Sequence, residues 1–198
     1  MLAYLLFLPL SPSAWAAEEV WLTDAAGRVL VRVDPQRPAF RLRDGGGAAL
    51  GEVRIDADRV KLRDAGGVER WKIKRKDYGA EIEDAAGERL YRIVRRPDEW
   101  RVEDAKKAVV ARVKPRDGGA VVIRDGRDVT LARVKPAGGG LVVEADGGRR
   151  LGEVAGTDDA RAGAWLALER FTPAERAALW AYFTAVDVRG AAGGEPSR

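Results

Sequence analysis

The 198 residues include no cysteine and no histidine, and serine occurs only at Ser11, Ser13 and Ser197. Without cysteine there is no disulfide, no thiolate metal site, no thiol nucleophile and no lipid-bearing N-terminal cysteine. Without histidine, Ser-His-Asp and Cys-His mechanisms and imidazole-ligated metals are excluded. A strong charge of one sign is also missing, since 35 basic residues face 31 acidic ones for a net charge of +4. That balance implies a soluble surface with a mild preference for polyanions, short of the charge of a dedicated nucleic-acid binder. No nucleic-acid motif is present, and no apolar run reaches the roughly 20 residues that span a bilayer. Carboxylate-pair chemistry of the glycosidase kind is the catalytic device that the composition leaves open.

The chain opens with an uncharged segment, Met1 to Ala16, whose stretch from Leu2 to Leu10 is almost wholly apolar. Ser11, Pro12 and Ser13 follow, and then Ala14-Trp15-Ala16, a small-x-small pattern. This reads as a secretory signal cleaved after Ala16, leaving a periplasmic or extracellular protein that begins at Ala17. The alternative is an uncut N-terminal anchor.

Periodicity dominates the rest. With Asp24 as anchor, equivalent positions are Asp44, Asp64, Asp84, Asp104, Asp125 and Ala145, spaced 20 or 21 apart. Two residues before each anchor stand Leu22, Leu42, Leu62, Ile82, Val102, Ile123 and Val143. Four before stand Val20, Phe40, Val60, Ala80, Trp100, Val121 and Leu141, with mostly charged residues between. This is the alternation of a half-buried strand. Three after the anchor come Gly27, Gly47, Gly67, Gly87 and Gly148, with Lys107 and Asp128 as exceptions. Asp-x-x-Gly is a turn with a mechanism, because the carboxylate bonds the backbone ahead and glycine accepts positive φ.

A second strand follows each turn, marked nine residues after the anchor by Val33, Val53, Ile73, Ile93, Val113, Val134 and Val154. The slot seven after it mixes Val31, Gly51, Trp71, Tyr91, Ala111, Ala132 and Gly152, as suits a face packed on something irregular. The slot six after it is mostly apolar but falls on the outward phase, which points to a β-bulge. Breaker-rich links such as Asp34-Pro35-Gln36-Arg37-Pro38 join the hairpins. The fold class is therefore mainly β: seven tandem hairpins forming a curled antiparallel sheet or closed barrel of about 12–14 strands around a hydrophobic C-terminal helix.

After Val154 the period disappears. Thr172-Pro173-Ala174-Glu175 supplies an N-cap, a proline at the first helical position and an early acid. The stretch Ala177 to Phe183 is apolar on every side, which predicts a helix inside or across the sheet. Pro173 to Val188 would extend roughly 24 Å and would face the inward Trp71 and Tyr91. The domain reading is a leader over 1–16, the hairpin sheet over 17–156, a helical segment of the same domain over 157–189, and a disordered tail over 190–198.

The units Leu22-Thr23-Asp24 to Val33 and Ile82-Glu83-Asp84 to Ile93, closed by an apolar C-terminal helix, resemble the superfamily of tubby C-terminal, LURP-one and phospholipid scramblase domains. The resemblance covers roughly Glu18 to Val188. It implies a closed antiparallel barrel of about a dozen strands threaded by its C-terminal helix, and a link to phosphoinositides and membranes. The turns at 24–28 and 84–88 also resemble the YD repeats of Rhs- and teneurin-type shells.

For function, the anchor aspartates read as turn residues rather than a catalytic pair, and no cofactor or metal is expected. The candidate site is a basic ladder on the outward face: Lys72, Lys74, Arg92, Arg112, Lys114, Arg133 and Lys135, with Arg32 and Arg54 as further members. Such a stripe suits anionic lipid headgroups or acidic envelope glycans. The plainer reading is a set of solvated strand cations that discourage edge pairing, neutralised by Glu81, Glu83 and Glu103. The expectation is thus an exported, non-catalytic structural or partner-binding domain. Its partner would be another envelope protein or an envelope polyanion, with a carboxylate hydrolase as the remote alternative.

Overall fold

The computed structural model describes residues 19–36 and 39–187. The leader over 1–16 and the tail over 190–198 lie outside the described residues. The hairpins are β1 (Val20–Asp24) with β2 (Val29–Gln36), β3 (Ala39–Arg43) with β4 (Ala49–Ile55), and β5 (Arg59–Asp64) with β6 (Glu69–Lys76). They continue as β7 (Gly79–Asp84) with β8 (Arg89–Arg95), β9 (Trp100–Asp104) with β10 (Val109–Pro115), β11 (Val121–Asp125) with β12 (Thr130–Ala137), and β13 (Gly140–Glu144) with β14 (Arg150–Ala155). Every strand pairs antiparallel with its neighbour in sequence, and β1 pairs with β14 from Trp21↔Ala155 to Asp24↔Gly152. The sheet is therefore a closed, up-and-down barrel of 14 strands. Closure leaves no strand edge open to pairing.

Six of the seven turns repeat one set of bonds, and the seventh, with Ala145 at the anchor, keeps the backbone bonds of the set. In the first, Asp24 Oδ1 accepts from the Ala26 and Arg28 backbone N–H groups at 2.9 and 3.0 Å, and the Gly27 N–H donates to the Asp24 carbonyl at 3.0 Å. The same carboxylate bonds recur at Asp44, Asp64, Asp84, Asp104 and Asp125. The third residue of the turn lies at positive φ in all seven copies, including Lys107 at 65° and Asp128 at 68°. The local geometry thus overrides residue type in those two copies.

The suspected bulge is present in every hairpin. In the first, Leu22 pairs with Val31 and Thr23 with Val29, so Leu30 is the extra residue. Leu50, Arg70, Leu90, Val110, Leu131 and Leu151 occupy the same place in the other copies. A bulge re-aims the side chain it carries and increases twist. Leu30, Leu50, Leu90, Val110 and Leu151 accordingly lean against the core instead of pointing into solvent.

The lumen is filled by two helices where the sequence pointed to one. They are α1 (Ala160–Leu166) and α2 (Pro173–Tyr182), the latter followed by a π-helical turn, Phe183–Asp187. Fourteen strands about 4.8 Å apart and tilted near 40° close to a backbone diameter of roughly 28 Å. With layers packing about 10 Å apart, the space left between opposite walls is about one helix-to-helix distance, 8–10 Å. One helix would leave a void, and a pair fills it. Asp159 caps α1 by accepting from the Arg161 and Ala162 N–H groups at 2.9 and 3.3 Å. Thr172 and Glu175 form a reciprocal capping box on α2.

The turns gather at one mouth of the barrel and the links at the other. From β14 the chain enters at the link mouth as α1. Phe171, between the helices, then meets Trp71 and Tyr91 edge-to-face at 5.4 and 5.3 Å. These are the aromatic positions assigned to the helix from sequence; the residue that reaches them belongs to the connection ahead of α2. On the way back, Trp180 packs on Phe40 at 5.9 Å and the Tyr182 hydroxyl donates to the Gly79 carbonyl at 3.1 Å. Phe183 stacks on Trp165 at 4.0 Å. The core is thus a ring of inward valine, leucine and isoleucine around a buried aromatic plug.

Candidate functional site

The anchor carboxylates are committed to their turns, so each is held by its own hairpin and points away from a shared centre. Asp24 is kept below the ordinary carboxylate range, first by its side-chain bond to Arg28 and then by backbone N–H donors. Asp64 is lowered chiefly by the Val68 N–H. Both effects favour the ionised form, the form that accepts the turn bonds.

The seven ladder residues all lie on the outer wall, but on alternate strands, β6, β8, β10 and β12. Neighbouring members are therefore about two strand spacings, or roughly 9.6 Å, apart. Neighbouring strands, links and turns contribute carboxylates, and every ladder residue is ion-paired. Lys72 meets Glu69 at 3.3 Å, Lys74 meets Glu83 at 2.7 Å, and Arg92 meets Glu103 at 2.6 Å. Arg112 meets Glu99 at 3.1 Å and Lys114 meets Asp98 at 2.6 Å. Arg133 meets Asp146 at 2.9 Å and Lys135 meets Glu144 at 2.6 Å. Of the outer two members, Arg32 lies over the Trp21 ring at 4.5 Å and Arg54 is 3.6 Å from Asp56. Three of the acidic partners are deeply set: Glu83, Glu99 and Glu103 are 7%, 6% and 6% exposed. Long cationic side chains fold over them, as amphipathic stems do. What the sequence presents as a cationic stripe is in space a mosaic of neutralised pairs.

A different group of cations is unpaired. On β3, β4 and β5, cross-strand partners place Arg41 opposite Glu52 and Glu52 opposite Arg63, with Arg43 one outward position along β3. These side chains line an open surface dent of about 270 Å³. Ala49, Gly51, Ala65 and Gly67 are among its other lining residues. Among the described residues, the side chains of Arg41 and Arg63 make no hydrogen bond or ion pair, and Arg43 bonds only the Gly47 carbonyl at 3.1 Å. Asp64, at the rim, is already engaged by Arg70 at 2.7 Å and by its turn N–H groups.

Sequence reasoning passed over this group because it followed the second strand of each hairpin. The signal was in the first strand: the slots three and one before the anchor read Arg41 and Arg43, then Lys61 and Arg63, whereas the next copy reads Glu81 and Glu83. Which cations stay free depends on cross-strand register, and one strand does not report that.

No family profile matches the chain, and no curated protein sequence matches it. Among solved structures, the chain is similar to a protein from Arabidopsis thaliana, with 14% identity and a TM-score of 0.37 over 75% of this chain and 86% of that one. A likeness at that level carries no argument about family or ligand. The barrel assignment rests on the strand pairing itself.

Proposed function

We propose that this chain is an exported, non-catalytic binding barrel that presents its outer wall to another envelope protein. The observation that carries this reading is the plug: α1 and α2 occupy the lumen, with Trp165, Leu166, Leu179 and Tyr182 at 0–1% exposure. A barrel that fills its own interior offers partners its wall and its mouths. Export is supported by the apolar segment before Ala16, and kinship with the tubby, LURP-one and scramblase superfamily by the barrel-and-plug architecture. Expression of the full chain in a bacterial host tests export directly. An N-terminus beginning at Ala17 in the periplasmic fraction supports it, and intact chain in the cytoplasm refutes it.

A second reading has its own observation. The outer faces of β2 to β5 carry Arg32, Arg41, Arg43, Arg54, Lys61 and Arg63 against Asp34, Glu52 and Asp64, and among the described residues Arg41 and Arg63 make no ion pair. On this reading the wall takes an anionic lipid headgroup or acidic glycan. Sedimentation with vesicles separates the two. A protein partner predicts no pelleting with acidic vesicles, whereas the anionic reading predicts pelleting that falls as salt rises.

A further inference from the structure

We infer that the dent lined by Arg41, Arg43 and Arg63 is a binding site for a phosphomonoester group. The inference deepens the anionic reading above and rests on it, but moves the site away from the ladder.

Pairing decides the location. A ligand phosphate at Lys74, Arg92 or Arg112 must draw the cation from Glu83, Glu103 or Glu99, whose side chains are 9%, 8% and 6% exposed. For Glu83 and Glu103 that would leave a nearly buried carboxylate without its counter-ion, which is strongly unfavourable, and for Glu99 it would leave Arg101 as the sole partner. Among the described residues Arg41 and Arg63 have no ion pair to give up, although the register sets both beside Glu52. Arg43 is already held by the Gly47 carbonyl, so part of the site is pre-organised.

Charge decides the ligand. Three guanidiniums share the dent with Glu52, Asp64 is neutralised by Arg70, and Asp34, opposite Arg41 on β2, already has a partner of its own. The local excess therefore matches the charge of about −1.5 to −2 on a phosphomonoester at neutral pH. A carboxylate or phosphodiester supplies a single charge and would leave one guanidinium uncompensated beside Glu52. The planar forks of arginine suit the three terminal oxygens of the ester. The dent, at about 270 Å³, has room for the phosphate and a short attached group.

Such a group could be carried by a lipid, by a phosphorylated glycan or by a small soluble ester, and the test distinguishes the first from the last. The full chain is titrated with glycerol 3-phosphate by calorimetry. It is also sedimented with phosphatidylcholine vesicles containing phosphatidic acid, or containing phosphatidylglycerol as a phosphodiester control. Arg41→Gln/Arg63→Gln should weaken binding of the monoester probe by about tenfold or more, as expected for losing charged hydrogen bonds. Lys72→Gln/Lys74→Gln should change it less than about twofold. Glu52→Gln should tighten binding severalfold, a gain that a damaged fold cannot imitate. Binding of glycerol 3-phosphate identifies a soluble source, and binding confined to phosphatidic acid vesicles identifies a lipid. Either outcome sustains the site. If phosphatidylglycerol vesicles pellet the protein equally well and only the Lys72/Lys74 variant loses them, the dent is refuted and the anionic reading stands. If neither probe nor either vesicle binds, both fall.

Discussion

Placing valine at position 163 tests whether α1 sits inside the barrel in the register described. A Cβ on Gly163 would lie 2.0 Å from Leu141 Cδ1 and 3.5 Å from Leu141 Cγ. Leu141 is itself 1% exposed on β13 and has little room to turn away. On a solvent-exposed helix, glycine to valine is favourable by a few tenths of a kcal/mol. Inside this lumen the added methyl groups overpack, at a cost of about 1–3 kcal/mol, so the sign reverses. For a chain of this size that lowers Tm by about 3–10 °C. Leu141→Ala alone should cost about 2–5 kcal/mol through the cavity it leaves. In the double variant the valine occupies that space, and the two losses should fall short of additivity by about 1–3 kcal/mol. Urea titration followed by tryptophan fluorescence reads all four proteins, with Trp165 reporting from the same helix. A Gly163→Val protein as stable as its parent, or losses that simply add, would refute the packing of α1 on β13.

Three more outcomes are expected. Phe171→Ala, which removes the ring between Trp71 and Tyr91, should cost about 3–5 kcal/mol in the same titration. The third turn position offers a mirrored pair: Lys107→Gly relieves a left-handed residue and should stabilise by about 0.5–1 kcal/mol, and Gly87→Lys should lose a similar amount. Equal effects of one sign would show that positive φ is not the common requirement. In acid, Asp24 and Asp64 have folded-state pKa values depressed below the ordinary 3.8. Their contribution is complete above that value and is lost as pH falls through the folded-state values. The urea midpoint should therefore drop as pH is lowered from about 5 to 2. Asp64→Asn keeps an oxygen acceptor but removes a titrating group, and should flatten that drop.

Much of the architecture was legible in the repeat. The 20-residue period set the hairpins, the Asp-x-x-Gly turns set their register, and the off-phase leucines announced the bulges because each is a local consequence of a few neighbouring side chains. The apolar stretch around Trp180 likewise required burial wherever it went. Closure of β1 on β14, which no single hairpin reports, turned the fourteen strands into a barrel and set the lumen width, and hence the need for two helices. The separation of spent cations from free ones was also tertiary. Lys74 and Arg92 look no different from Arg41 and Arg63 along the chain, but cross-strand neighbours gave the first pair carboxylates to cover and left the second pair open. Periodicity is a property of one strand and its turn, whereas charge compensation on a sheet belongs to three adjacent strands, and only the closed barrel decides which three meet.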